Sequence, residues 1–117
     1  MAEIERFLID DGIVAVVITG EFDLADESRA EMAVDFVLGL ELPGLLVDLS
    51  DCEFIDASGL RMVLRANQRA LRAGIRVAIT SMAPQVRRVF ELSGVARHLP
   101  IFPDRDGALA ALRAAPA

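Results

Sequence analysis

Hydrophobic and polar positions change their spacing several times along the chain, and each change marks an element. Ile4-Glu5-Arg6-Phe7-Leu8-Ile9 and Ile13-Val14-Ala15-Val16-Val17-Ile18 are β-rich runs joined through Asp10-Asp11-Gly12, the residue types of a tight hairpin turn, and they predict an antiparallel pair of strands. After Thr19-Gly20-Glu21-Phe22-Asp23 the spacing becomes helical. Leu24, Met32, Phe36, Val37 and Leu40 recur at roughly one-turn intervals, Asp23 stands where an N-cap is needed, and Leu42-Pro43-Gly44 supplies the stop. Leu45-Leu46-Val47-Asp48-Leu49 is nearly all apolar, as a central strand covered on both faces has to be.

The second half repeats the alternation of helix and strand. Asp56-Ala57-Ser58 opens a helix in which Leu60, Val63, Leu64 and Leu71 form the expected buried stripe, Arg61, Arg65, Gln68, Arg69 and Arg72 face water, and Gly74 closes the C-terminus. Asn67 falls next to the stripe and interrupts it. Ile75-Arg76-Val77-Ala78-Ile79 is the next strand. Ala83-Pro84 starts a short helix with Val86, Val89 and Phe90 facing inward, ended by Ser93-Gly94. Leu99 to Phe102 reads as an edge strand and residues 104–114 as a terminal helix. A hairpin followed by alternating helices and strands predicts an α/β fold, a mixed sheet with about four helices packed on it. At 117 residues the chain suits one domain, residues 1–117, with one core.

Composition narrows the chemistry. The apolar runs stop far short of the ~20 residues that span a membrane, and the acidic start Met1-Ala2-Glu3-Ile4-Glu5 lacks the features of a secretory signal, so no membrane role is expected. Cys52 is alone, which excludes an internal disulfide and a zinc cluster and suits a reducing cytoplasm; no metal or other cofactor is expected. Net charge is -6, which argues against direct nucleic-acid binding. Charge is also uneven: residues 1–56 hold fifteen of the eighteen acids, and residues 57–117 hold ten of the twelve arginines. There is no lysine, so Walker A loops, Schiff-base chemistry and the lysine-dependent receiver domains drop out.

Candidate chemistry gathers at the turns that follow strands. The turn Gly20 to Asp23, the turn Ser50 to Asp56 and the helix start at Ser58 fall on one edge of the predicted sheet, the edge where α/β folds present ligands and partners. Asp23 reads as a cap or as a contact residue, and the acidic turns as a solvated rim or a contact surface. Ser58 reads as a helix cap, but Asp56 is also available for that role, which would leave the Ser58 hydroxyl unengaged within the first turn. A nucleophilic serine needs a base, and the single histidine, His98, has no motif linking it to Ser58. A phosphoacceptor serine needs only access, since a kinase supplies base, nucleotide and metal.

Three segments resemble the STAS family, named for sulfate transporters and anti-sigma antagonists: Gly20-Glu21-Phe22-Asp23-Leu24, then Val47-Asp48-Leu49-Ser50 with Phe54-Ile55-Asp56-Ala57-Ser58-Gly59-Leu60, and Pro84-Gln85-Val86-Arg87-Arg88-Val89-Phe90-Glu91-Leu92-Ser93-Gly94. The middle segment is the specific one. The family's phosphorylated serine corresponds to Ser58, while Ala57 stands at a position where the family has another serine and Arg61 where glycine is frequent. The resemblance implies a non-enzymatic anti-sigma factor antagonist in a partner-switching cycle. An anti-sigma factor serine kinase binds it and phosphorylates Ser58, and a serine phosphatase resets it. Asp23, Leu24, Asp56, Ala57, Gly59 and Leu60 are then partner-binding residues, and the chain is a monomer or weak homodimer. Alternatives are a STAS subunit of an ABC-type lipid transport system, a stress-signalling scaffold component, and, from a different class, a small serine hydrolase with a base beside Ser58.

Overall fold

A computed structural model of the chain describes residues 1–10, 12–80 and 83–114. Strands β1 (Glu3–Asp10) and β2 (Ile13–Phe22) pair antiparallel from Glu3 opposite Thr19 to Leu8 opposite Val14. Asp11, assigned to the turn between them, lies outside the described residues. Four further strands follow: β3 (Gly44–Asp48), β4 (Cys52–Ile55), β5 (Arg76–Thr80) and β6 (Ile101–Phe102). The sheet order is β1-β2-β3-β5-β6, with every pair after the hairpin parallel.

Side-chain alternation divides the sheet into two faces. Val14, Val16 and Ile18 of β2, Leu45 and Val47 of β3 and Ile79 of β5 enter one core, under helices α1 (Glu27–Gly39), α2 (Ala57–Arg72) and α3 (Pro84–Ser93). Ile13, Ala15, Leu46 and Ala78 point to the other face, against Ala108, Leu109 and Leu112 of α4 (Arg105–Arg113). The all-apolar β3 is therefore central and covered on both sides, the environment that run of residues requires.

Three expectations are corrected. The segment Ser50 to Asp56 is not all turn, because Cys52–Ile55 forms β4 and pairs parallel with the last part of β2. Four residues are too few for a periodic signal, and the pairing exists because β2, ten residues long, runs past the end of β3. In α1 the small residues Ala30 and Ala33, with Val34 and Val37, face the sheet, while Met32, Phe36 and Leu40 are exposed. The inward face of the helix is therefore built from small and β-branched side chains, and its bulkiest ones lie on the outer face. Leu24 belongs to a short 3-10 turn before α1 and is 67% exposed. In α2 the buried stripe is Met62, Val63, Ala66 and Ala70; Leu60 and Leu64 lie half-buried at its margin and Leu71 is exposed.

Candidate functional site

The pairing of β4 with β2 builds the site. Phe22 stands opposite Ile55, and the Asp56 amide donates to the Phe22 carbonyl at 3.3 Å. The next residues, Asp23 and Asp56, thus leave the sheet side by side, both in extended conformation and both as caps. Asp23 Oδ1 accepts from the Ala25 amide at 2.9 Å, and Asp26 returns a bond to the Asp23 amide at 3.0 Å, a reciprocal capping box. Asp26 itself is wholly buried, bound also to the Ala2 amide and to Arg29. Burial alone would raise its pKa, but the donated hydrogen bonds and the Arg29 charge outweigh burial and hold the carboxyl below its ordinary value.

Asp56 caps α2 more fully. Its Oδ1 accepts from the Ser58 amide at 3.0 Å, the Gly59 amide at 3.1 Å and the Ser58 hydroxyl at 2.5 Å. Burial pushes this carboxyl up, and the three donors, led by the Ser58 hydroxyl, more than reverse the push, so it ionises below the usual range. Ser58 is only 4% exposed. Its hydroxyl, expected to be unengaged once Asp56 serves as the cap, instead donates to that carboxylate. That carboxylate is a poor base for the same reason that it is a good cap, since the donors that satisfy it lower its proton affinity.

The other expected contact residues divide by exposure. Asp23, Leu24 and Ala57 are exposed, while Asp56 and Leu60 are half-buried. Gly59 is buried beneath them, and a Cβ there would collide with Ile55 Cγ1 and come within 2.7 Å of Phe22 Cδ1. Its lack of a side chain lets α2 start directly against the Phe22–Ile55 pair. His98 lies in the short 3-10 turn Val95–His98 after α3 and is exposed.

Two supporting arrays lie beyond the residues expected at the site. At the end of β3, Asp48 accepts from the Ser50 amide, the Thr80 hydroxyl and Arg105, each at 2.9 Å, while Ser50 Oγ lies 3.1 Å from Thr80 Oγ1. This ties the loop entering β4 to β5 and α4. Burial is again overcome, by the hydrogen bonds from Ser50 and Thr80 and then the Arg105 charge, and the Asp48 pKa falls below its ordinary value. The second array is a ladder between α1 and α2: Arg61 with Glu27 at 3.4 Å, then Arg65 with Glu31 and Arg69 with Asp35. Partners advance together by four residues, so the two helices run in the same direction and start at the same sheet edge. The sequence shows both charged stripes; only their facing one another was not apparent.

Among the described residues no helix is long and apolar enough to cross a membrane. The STAS domain family model matches residues 7–108. The anti-sigma F factor antagonist of Paenibacillus polymyxa is 26% identical over 102 residues, covering 86% of this chain and 87% of that protein. The anti-sigma-F factor antagonist RsfB of Mycobacterium tuberculosis is 26% identical over 103 residues, with 88% and 84% covered. The crystal structure of an anti-sigma factor antagonist from Mycobacterium paratuberculosis superposes with a TM-score of 0.84 at 27% identity, covering 97% of this chain and 94% of that one. With the paired β-strand and helix starts in place and the family model matching most of its length, this chain belongs to the STAS domain family.

Proposed function

We propose that this chain is an anti-sigma factor antagonist whose binding edge is formed by Asp23, Leu24, Asp56, Ala57, Gly59 and Leu60 and is switched by phosphorylation of Ser58. The observation that carries the reading is the juxtaposition of two Asp-capped helix starts, with Ser58 on the first turn of one and exposed Leu24 on the first turn of the other. An anti-sigma factor with serine kinase activity is the partner, and a serine phosphatase reverses the modification. In the kinase step the γ-phosphoryl of ATP moves to Ser58 Oγ. The new O–P bond forms as the bond to ADP breaks, and the hydroxyl proton passes to a base on the kinase.

Two features of the site bear on how such a switch works. Ser58 is enclosed and its hydroxyl points at Asp56, so transfer requires a rotamer change that breaks one hydrogen bond. The ester formed cannot donate to Asp56, and a group carrying about -1.5 to -2 charges would stand beside that carboxylate. The modified side chain then turns outward into the binding edge, while two backbone amides still cap α2 on Asp56. Binding weakens and the fold persists. Hydrolase chemistry is disfavoured by the same geometry, because an enclosed serine whose carboxylate partner has a lowered pKa is poorly activated for attack.

Incubation with the cognate kinase and ATP, followed by intact-mass measurement, tests the assignment. Wild type gains one phosphate and Ser58→Ala gains none. Equal gain in the two proteins, or no gain in wild type, overturns it.

A further inference from the structure

Arg61 stands three residues after Ser58 on α2 and reaches across to Glu27 Oε2 at 3.4 Å. This is the longest rung of the ladder and the one nearest the helix starts; the rungs at Arg65 and Arg69 are tighter. Residues three apart on a helix lie on neighbouring positions of its surface, with Cβ atoms about 5–6 Å apart, and helical side chains lean back toward the N-terminus. The Arg61 side chain therefore leans toward the turn that carries Ser58, and its guanidinium meets Glu27 on the first turn of α1. It is also half exposed, so its pair with Glu27 is solvent-screened and weak.

We propose that Arg61 binds the phosphate on Ser58, exchanging Glu27 for it, so that modification at the start of α2 also uncovers an acidic side chain at the start of α1. The inference rests on the reading of Ser58 as the phosphoacceptor. Two considerations favour the exchange. A phosphate near two negative charges offers a guanidinium more than one carboxylate does, with oxygens placed for two parallel hydrogen bonds. Its position on the same helix also removes the need to span the seam between helices. Glu27 lies one turn after Leu24, so its release alters charge beside the most exposed apolar residue of the binding edge. The ladder would thus spread a single modification over both helix starts.

Phosphoserine can be placed at position 58 of the full chain by cotranslational incorporation, without a kinase, and its second ionisation followed by phosphorus NMR. Arg61→Gln should raise that ionisation by about half a unit to one unit, the effect of removing a nearby opposite charge. Arg65→Gln, one rung further along, should leave it unchanged, and Glu27→Gln, which removes the competitor, should lower it. All four proteins should retain the circular dichroism of the parent. The same ionisation in parent and Arg61→Gln, an equal rise in Arg65→Gln, or no response to Glu27→Gln overturns the exchange. Failure of a kinase to modify Ser58 would remove the regulatory setting and leave this titration as it is, so the two readings fail separately.

Discussion

Asp56 and Asn67 sit on the same helix and show opposite ways of burying a polar side chain. Asp56 collects three donors on one oxygen and so stabilises the start of α2. Asn67, 7% exposed, is buried beside the apolar stripe, and its Oδ1 has no hydrogen-bond partner among the described residues. An unsatisfied buried acceptor costs about 1–3 kcal/mol, whereas an apolar group of the same shape escapes that cost. Leucine branches at the same carbon as asparagine and is a better helix former. Asn67→Leu should therefore stabilise the domain by about 1 kcal/mol, read as a higher urea midpoint at unchanged slope. A lower midpoint would mean that the site is too tight for the two methyl groups and that packing, not the orphan oxygen, governs it. Asn67 interrupts the apolar spacing of α2, and nothing among the described residues compensates its buried oxygen.

At the level of elements, the seam between α1 and α2 combines an apolar interior with a charged outer edge, and their weights differ. Ala30, Val34, Met62 and Ala66 are buried between helices and sheet, while the rung partners Arg65 and Glu31 have side chains 51% and 38% exposed. Exposed pairs contribute about 0.2–1 kcal/mol and are screened by salt, so the ladder aligns the helices more than it holds them. A double-mutant cycle with Glu31→Ala and Arg65→Ala should give a coupling within that range that shrinks at about 1 M salt. A coupling that is larger and salt-independent would make the ladder a principal support of the seam. This division also explains which elements could be read in advance. The central strand and the hairpin announce themselves by apolar runs, and α3 by Pro84 at its start and Gly94, with φ 79°, past its end. The inner faces of α1 and α2 did not, because spacing rules weight large side chains and the buried faces here are mostly alanine and valine. Strand β4 was invisible since its signal lies in the length of β2, and with it went the reason that Asp23 and Asp56 are neighbours.

In the whole molecule, three carboxylates held below their ordinary pKa lie at one edge of the sheet: Asp26 before α1, Asp48 at the end of β3 and Asp56 before α2. Each is ionised because the fold points donors at it, so each links folding to pH. A folded-state pKa below the unfolded one stabilises the protein above the unfolded value, 3.8 for these groups, and that stabilisation disappears as pH falls through the lower, folded values. Protonation also relieves repulsion within the acidic first half of the chain, but the twelve arginines then dominate and the net charge turns positive, so relief gives way to repulsion of the other sign. The melting temperature should accordingly hold steady from neutral pH to about 5 and fall steeply below about 4. Loosening should begin at this edge of the sheet: amides of Ser50, Ser58 and Gly59, which donate to Asp48 or Asp56, should lose exchange protection before those of β3 and β5. Asp48→Asn keeps the shape but removes the charge that Arg105 and the Ser50 amide address, so it should lower stability at neutral pH and flatten the acid limb. A variant with parental stability at pH 7 and an equally steep acid limb would show that Asp48 is not among the groups that couple this edge to pH.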